Sequence, residues 1–139
     1  MKKSVKIVAA LCLMAALVLT LAACGKKDPV GIWECTNFQE ASVKIYRESG
    51  MANGISEEEI DKQIANDSPF SMTVILEADH TATMLFSAGS TEETQTYEWM
   101  ETENGIAIIY DRAKIMYYDW DGSKLVCTNN GFEYIFKKR

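Results

Sequence analysis

Between Phe70 and Lys138, apolar residues recur at every second position in short runs: Phe70, Met72, Val74 and Leu76; Met84 and Phe86; Tyr97 and Trp99; Ile106 and Ile108; Ile115 and Tyr117; Leu125 and Cys127; Phe132, Tyr134 and Phe136. A period of two is that of a strand with one apolar face, so these sets are expected to share a common interior. Turn-forming residues separate the runs at Asp79-His80, Ala88-Gly89-Ser90, Asn104-Gly105, Asp111-Arg112, Asp121-Gly122 and Asn130-Gly131. Turn signals this closely spaced typify antiparallel sandwiches and barrels, and they predict seven strands after Pro69.

One more strand is expected upstream, within Val30 to Phe38, where Trp33 and Cys35 share one face and Glu34 and Thr36 the other. From Gln39 to about Asn66 the pattern changes. Gly50 and Gly54 interrupt it, and Ser56-Glu57-Glu58-Glu59 forms a capping box ahead of Ile60 and Ile64, which are four residues apart. This segment is predicted to be a helical hairpin. No strand alternates with long helices and no internal repeat appears, which makes parallel α/β and solenoid folds poor fits. The expected fold is all-β with a small helical insertion: an eight-stranded antiparallel up-and-down barrel with the helical hairpin between strands 1 and 2.

The first residues follow another rule. Lys2, Lys3 and Lys6 precede an uncharged stretch from Ile7 to Leu21, and Ala22 and Ala23 follow, the three-part layout of a secretory signal. The stretch falls short of the ~20 apolar residues a membrane span needs. Leu21-Ala22-Ala23-Cys24 followed by Gly25 resembles the bacterial lipobox, in which the cysteine thiol receives a diacylglyceryl group and the peptide bond before it is cut. The resemblance implies cleavage between Ala23 and Cys24, lipid on Cys24, and residence on the extracytoplasmic face of the cell membrane. Two or more acyl chains give stable anchoring, at ~0.8 kcal/mol per buried methylene. Residues 24–29 then form the lipidated cysteine and a short tether, and residues 30–139 the folded domain. A tether from Gly25 to Pro29 reaches ~17 Å at ~3.5 Å per residue, so the domain is expected to sit close to the headgroups, with Lys26 and Lys27 near anionic lipid.

From Cys24 onward 116 residues remain, enough for one domain with its own core. They keep all 20 acidic residues and 11 of the 14 basic ones, a formal charge of −9, which disfavours nucleic acid as a partner. Of the four cysteines, Cys12 leaves with the signal and Cys24 takes lipid, so Cys35 and Cys127 are the candidate disulfide pair in an oxidising compartment. The predicted strand order argues against that bridge. It places them on second-neighbour strands, ~9–10 Å apart, beyond the usual Cα separation.

Gly31-Ile32-Trp33 on the first strand resembles the opening motif of the lipocalin-like superfamily, whose tryptophan closes one end of an up-and-down barrel. Leu76 to Thr83, Tyr97-Glu98-Trp99 and Gly131 to Lys137 are similar to segments of small lipocalin-like lipoproteins of bacterial envelopes, so the resemblance spans nearly all of the mature chain. A helical pair between strands 1 and 2 also resembles the layout of intracellular fatty-acid-binding proteins, where such a pair lids a lipid cavity. The chain is shorter than ligand-carrying lipocalins and has no Arg-x-Tyr carboxylate clamp.

Candidate chemistry is sparse. His80, the single histidine, falls in a tight turn with no nucleophile pattern beside it. One histidine and two inward cysteines supply no zinc spacing, and Asp119-Trp120-Asp121-Gly122 lacks the glycine and glutamate of an EF-hand loop, so neither a metal nor a cofactor is expected. Glu57-Glu58-Glu59 reads as a helix start favoured by the macrodipole. No base, nucleophile and oxyanion donor can be assembled, which disfavours an enzyme. Trp33, Tyr97, Trp99, Tyr117, Phe132, Tyr134 and Phe136 either line a ligand pocket or fill the core, and eight strands enclose little more than these rings would occupy. Two functions follow: a module that binds a small hydrophobic ligand at the barrel mouth beneath the helices, or a filled barrel whose surface engages another envelope protein.

Overall fold

The computed structural model describes residues 28–139, so the signal segment, Ala23 and Cys24 lie outside the described residues. Strand β1 (Gly31–Cys35) leads into helices α1 (Phe38–Ala52) and α2 (Glu57–Asp67). Seven strands follow: β2 (Phe70–Leu76), β3 (Thr81–Ala88), β4 (Thr91–Glu101), β5 (Gly105–Asp111), β6 (Lys114–Asp121), β7 (Lys124–Asn129) and β8 (Phe132–Lys138). Each strand pairs antiparallel with the next, and β1 pairs with β8 to close the barrel. The expected eight-stranded antiparallel barrel with a helical hairpin after its first strand is the architecture observed.

The closing seam is short and reinforced by side chains. Trp33 is opposite Lys138 and Cys35 opposite Phe136. Beyond the last pair, Thr36 N–H donates to Ile135 O at 2.8 Å. Asn37 then carries the ladder on with its amide: Nδ2 donates to Glu133 O at 2.7 Å and Oδ1 accepts from Ile135 N–H at 3.0 Å. Its side chain is therefore committed to β8 and does not cap α1. The strand expected to run to Phe38 stops at Cys35 because the chain leaves the sheet here, with Phe38 opening the helix.

The helical hairpin is held by one side chain per contact. Ser56 Oγ accepts from Glu59 N–H at 3.3 Å, so the predicted cap forms. Ile60, 1% exposed, lies against Gly50, where an added Cβ would meet Ile60 Cδ1 at 2.7 Å. Arg47 pairs with Asp61 at 2.9 Å, and Tyr46 Oη donates to Asp67 Oδ2 at 2.8 Å. Gln39 Oε1 accepts from Phe70 N–H at 2.6 Å, fastening α1 to the start of β2.

Inward faces match the expected alternation on every strand except β6. There Ile115 and Tyr117, expected inside, point outward at 43% and 63% exposure, and Met116, Tyr118 and Trp120 turn in. Cross-strand partners share a face. Ile106 and Ile108 are buried, and their partners on β6 are Tyr118 and Met116. Both faces of β6 are apolar at its start, so alternation alone does not choose between them. The outward face also carries Asp119 and Asp121, which would otherwise have been buried without partners.

Candidate functional site

The barrel has two unlike ends. At the end where the chain enters, Trp33 and Trp99 are 1% and 3% exposed. Trp33 Nε1–H donates to Pro29 O at 2.8 Å, and Trp99 Nε1–H donates to Glu77 O at 2.9 Å. Trp120 meets Trp33 edge-on, with centroids 5.3 Å apart. The indoles of Trp33 and Trp99 thus bury their rings while each one's single donor finds a carbonyl, and this end is filled. His80 belongs to the same end. It takes φ 67° in the turn between β2 and β3, its ring lies 5.0 Å from that of Trp99, and its Nδ1 is 3.1 Å from Trp99 O. The turn residue expected from sequence is what the structure contains.

The opposite end is not filled. A cavity of about 210 Å³ opens there, lined by apolar and sulfur-bearing side chains that include Met72, Met84, Met116, Phe86, Tyr118 and Phe136. Phe38 at the start of α1 and Tyr134 on β8 complete its helix side, and Lys114 and Asn129 stand on its wall where β6 begins and β7 ends. The helices cover the rim above β2 and β8 through Gln39, Tyr46 and Lys44, the last 5.6 Å from the Phe132 ring centroid. The rim at β5, β6 and β7 lies beside them. The cavity is thus flanked by the hairpin, with Phe38 its contribution to the wall.

The seven candidate aromatics divide accordingly. Tyr134 and Phe136 line the cavity. Trp33 and Trp99 fill the other end, and Tyr97 packs on Tyr110 with centroids 4.6 Å apart. Phe132 lines a separate outer groove of about 270 Å³ between α1 and the β7–β8 turn. Tyr117 is on the outer surface, so its assignment to pocket or core is corrected. The sequence pattern missed Tyr110, Met116 and Tyr118. The signal for the last two was the aspartate pair sharing Tyr117's face; Tyr110 follows from extending the Ile106 and Ile108 alternation by one step.

The two phenols within the cavity are joined to each other. Tyr110 Oη donates to Met84 Sδ at 3.3 Å and lies 3.0 Å from Tyr118 Oη. Burial raises both phenols above their ordinary range, Tyr118 strongly. Burial likewise pushes the Cys127 thiol up to about 11, with a hydrogen bond to Tyr118 opposing the shift. Cys35 is raised by the same desolvation, and its Sγ donates to Asn37 Oδ1 at 3.4 Å. Cys35 and Cys127 are both free thiols. Lys114 Nζ is 5.5 Å from the Tyr110 ring centroid and supplies the one formal charge on the wall. A pocket so built has room to bury a small apolar group and presents phenolic hydroxyls to it.

Comparison with family models, with curated proteins and with solved structures finds no match to the chain. Among the described residues no cluster of His, Cys, Asp and Glu is placed to hold a metal ion, and no helix is long and apolar enough to cross a membrane.

Proposed function

We propose that this protein is a lipid-anchored lipoprotein of the extracytoplasmic membrane face, whose lipocalin-like barrel binds a small hydrophobic ligand. The observation that carries the binding reading is the apolar cavity of about 210 Å³ at the helix-bearing end. An apolar cavity of ~150 Å³ accepts benzene and stays dry, whereas drug-sized ligands occupy ~300–1,000 Å³. The ligand is then larger than benzene and smaller than a typical drug. Met72, Met84 and Met116 suit such a role, since unbranched thioethers repack around varied shapes.

Native mass spectrometry of the mature protein, released gently from its own membranes, tests both halves. The expected spectrum shows diacylglyceryl on Cys24 and a stoichiometric small-molecule adduct, which is lost in Met116→Trp. Without lipid on Cys24 the anchor is wrong. A clean apo mass, together with failure of isopropylbenzene to shift the Met72 and Met116 methyl resonances, would remove the binding reading and return the barrel to a protein-interaction role.

A further inference from the structure

Inward of Lys114 and Asn129, the cavity wall carries its hydroxyl groups in one place. Met84 Sδ has no proton to give, so Tyr110 is the donor in the 3.3 Å contact between them. Tyr118, 3.0 Å from Tyr110, then donates to the Tyr110 oxygen. This relay ends on a thioether, a weak acceptor. An oxygen placed in the cavity within reach of Tyr110 would be a better terminus, and the exchange needs only rotation of the Tyr110 O–H.

Charge complements this picture. No Asp, Glu, Arg or His lines the cavity, and Lys114 is an exposed side chain beside the Tyr110 ring. A carboxylate carried to the level of Met84 would lose its hydration without a buried cation to replace it. A hydroxyl ligand would bring a second proton to a wall that, beyond the two phenols, is carbon and sulfur up to Lys114 and Asn129, where β6 begins and β7 ends. An accepting oxygen with no donor of its own fits the relay as it stands. Burial keeps both phenols protonated across the physiological range, so the donor is always present.

We propose that the cavity selects small uncharged molecules bearing one accepting oxygen, ketones or esters in class, with that oxygen on Tyr110 Oη and the apolar remainder among Met72, Met84, Met116 and Phe86. This rests on the ligand-binding reading above and names its ligand class. Discrimination comes from the hydrogen bond, because a relay left on sulfur is poorer than one completed by the ligand.

Three ligands of matched size separate the alternatives: acetophenone (neutral acceptor), isopropylbenzene (no polar atom) and benzoate (anion). Binding is read from the methionine methyl resonances of the full chain in nanodiscs, so that partitioning into lipid is common to wild type and variants. Tyr110→Phe is expected to weaken acetophenone roughly three- to tenfold, the loss of one neutral hydrogen bond, and to leave isopropylbenzene within about twofold. Met84→Leu removes the competing acceptor while keeping Tyr110, and is expected to strengthen acetophenone relative to isopropylbenzene. Equal effects of Tyr110→Phe on the two neutral ligands, or a weakening of acetophenone in Met84→Leu, would overturn the proposal while leaving the binding module intact. Benzoate binding more tightly than acetophenone, with loss in Lys114→Ala, would overturn it in favour of an anionic ligand at the rim. If isopropylbenzene and acetophenone both fail to bind, this proposal and the binding reading fall together.

Discussion

Tyr117 and Tyr118 are adjacent and chemically identical, yet their surroundings differ completely. Tyr118 is 3% exposed and Tyr117 is 63% exposed. Tyr118→Ala is therefore expected to cost about 3–5 kcal/mol in urea denaturation, as large aromatic truncations in cores do, whereas Tyr117→Ala is expected within ~0.5 kcal/mol of wild type. Cys127 provides a pH test. Its thiol stays protonated in the folded protein up to about 11, against an ordinary 9, so between these values the unfolded chain binds fewer protons than the folded one. Stability must then fall as pH rises through that window. Cys35, Tyr110, Tyr118 and Tyr134 are raised as well and act with the same sign. The denaturation midpoint is expected to drop from pH 8 to pH 10.5, and Cys127→Ala to reduce the drop in part. Which of two neighbouring tyrosines is buried was legible only through the aspartates that follow, a weaker signal than the alternation of apolar residues itself.

Among the described glycines, Gly105 makes the tightest approach, where β5 meets β6. An added Cβ on Gly105 would lie 2.0 Å from Tyr118 O, a backbone atom that cannot move without breaking the ladder between Gly105 and Asp119. Gly105→Ala is expected to destabilise by at least ~1–3 kcal/mol, the range for forced overpacking, with exchange protection lost first along β5 and β6. The requirement for glycine was hidden in sequence, where Asn104-Gly105 reads as an ordinary turn. At the β7–β8 turn the sequence was a better guide. Asn130 and Gly131 take φ 52° and 77°, the paired left-handed geometry for which Asn-Gly is the preferred dipeptide. The helical hairpin was equally legible from its Ser56 cap and the Ile60 and Ile64 spacing. Its docking was not, because Gln39, Tyr46 and Arg47 find partners 14 to 31 residues away.

At the scale of the molecule, closure decides both stability and site. Strand β8 pairs with β7 on one side and β1 on the other, and Arg139 pairs with Glu34 across the seam. Ending the chain at Gly131 removes both ladders at once, so the truncated protein is expected to lack a cooperative thermal transition by circular dichroism. Gathered at one end, Trp33, Trp99 and Trp120 fill the interior there. The other end is lined largely by methionine, phenylalanine and tyrosine and retains its cavity. Strand number, turn positions, the helical insertion and most inward faces were determined by the sequence itself, because period-two alternation and turn chemistry are local properties of the chain. The face of β6, the partner of Tyr110 and the division of the rings between a filled and an open end were decided only by tertiary structure. Each depends on register across strands and on how volumes add inside a closed surface, and no local pattern encodes either.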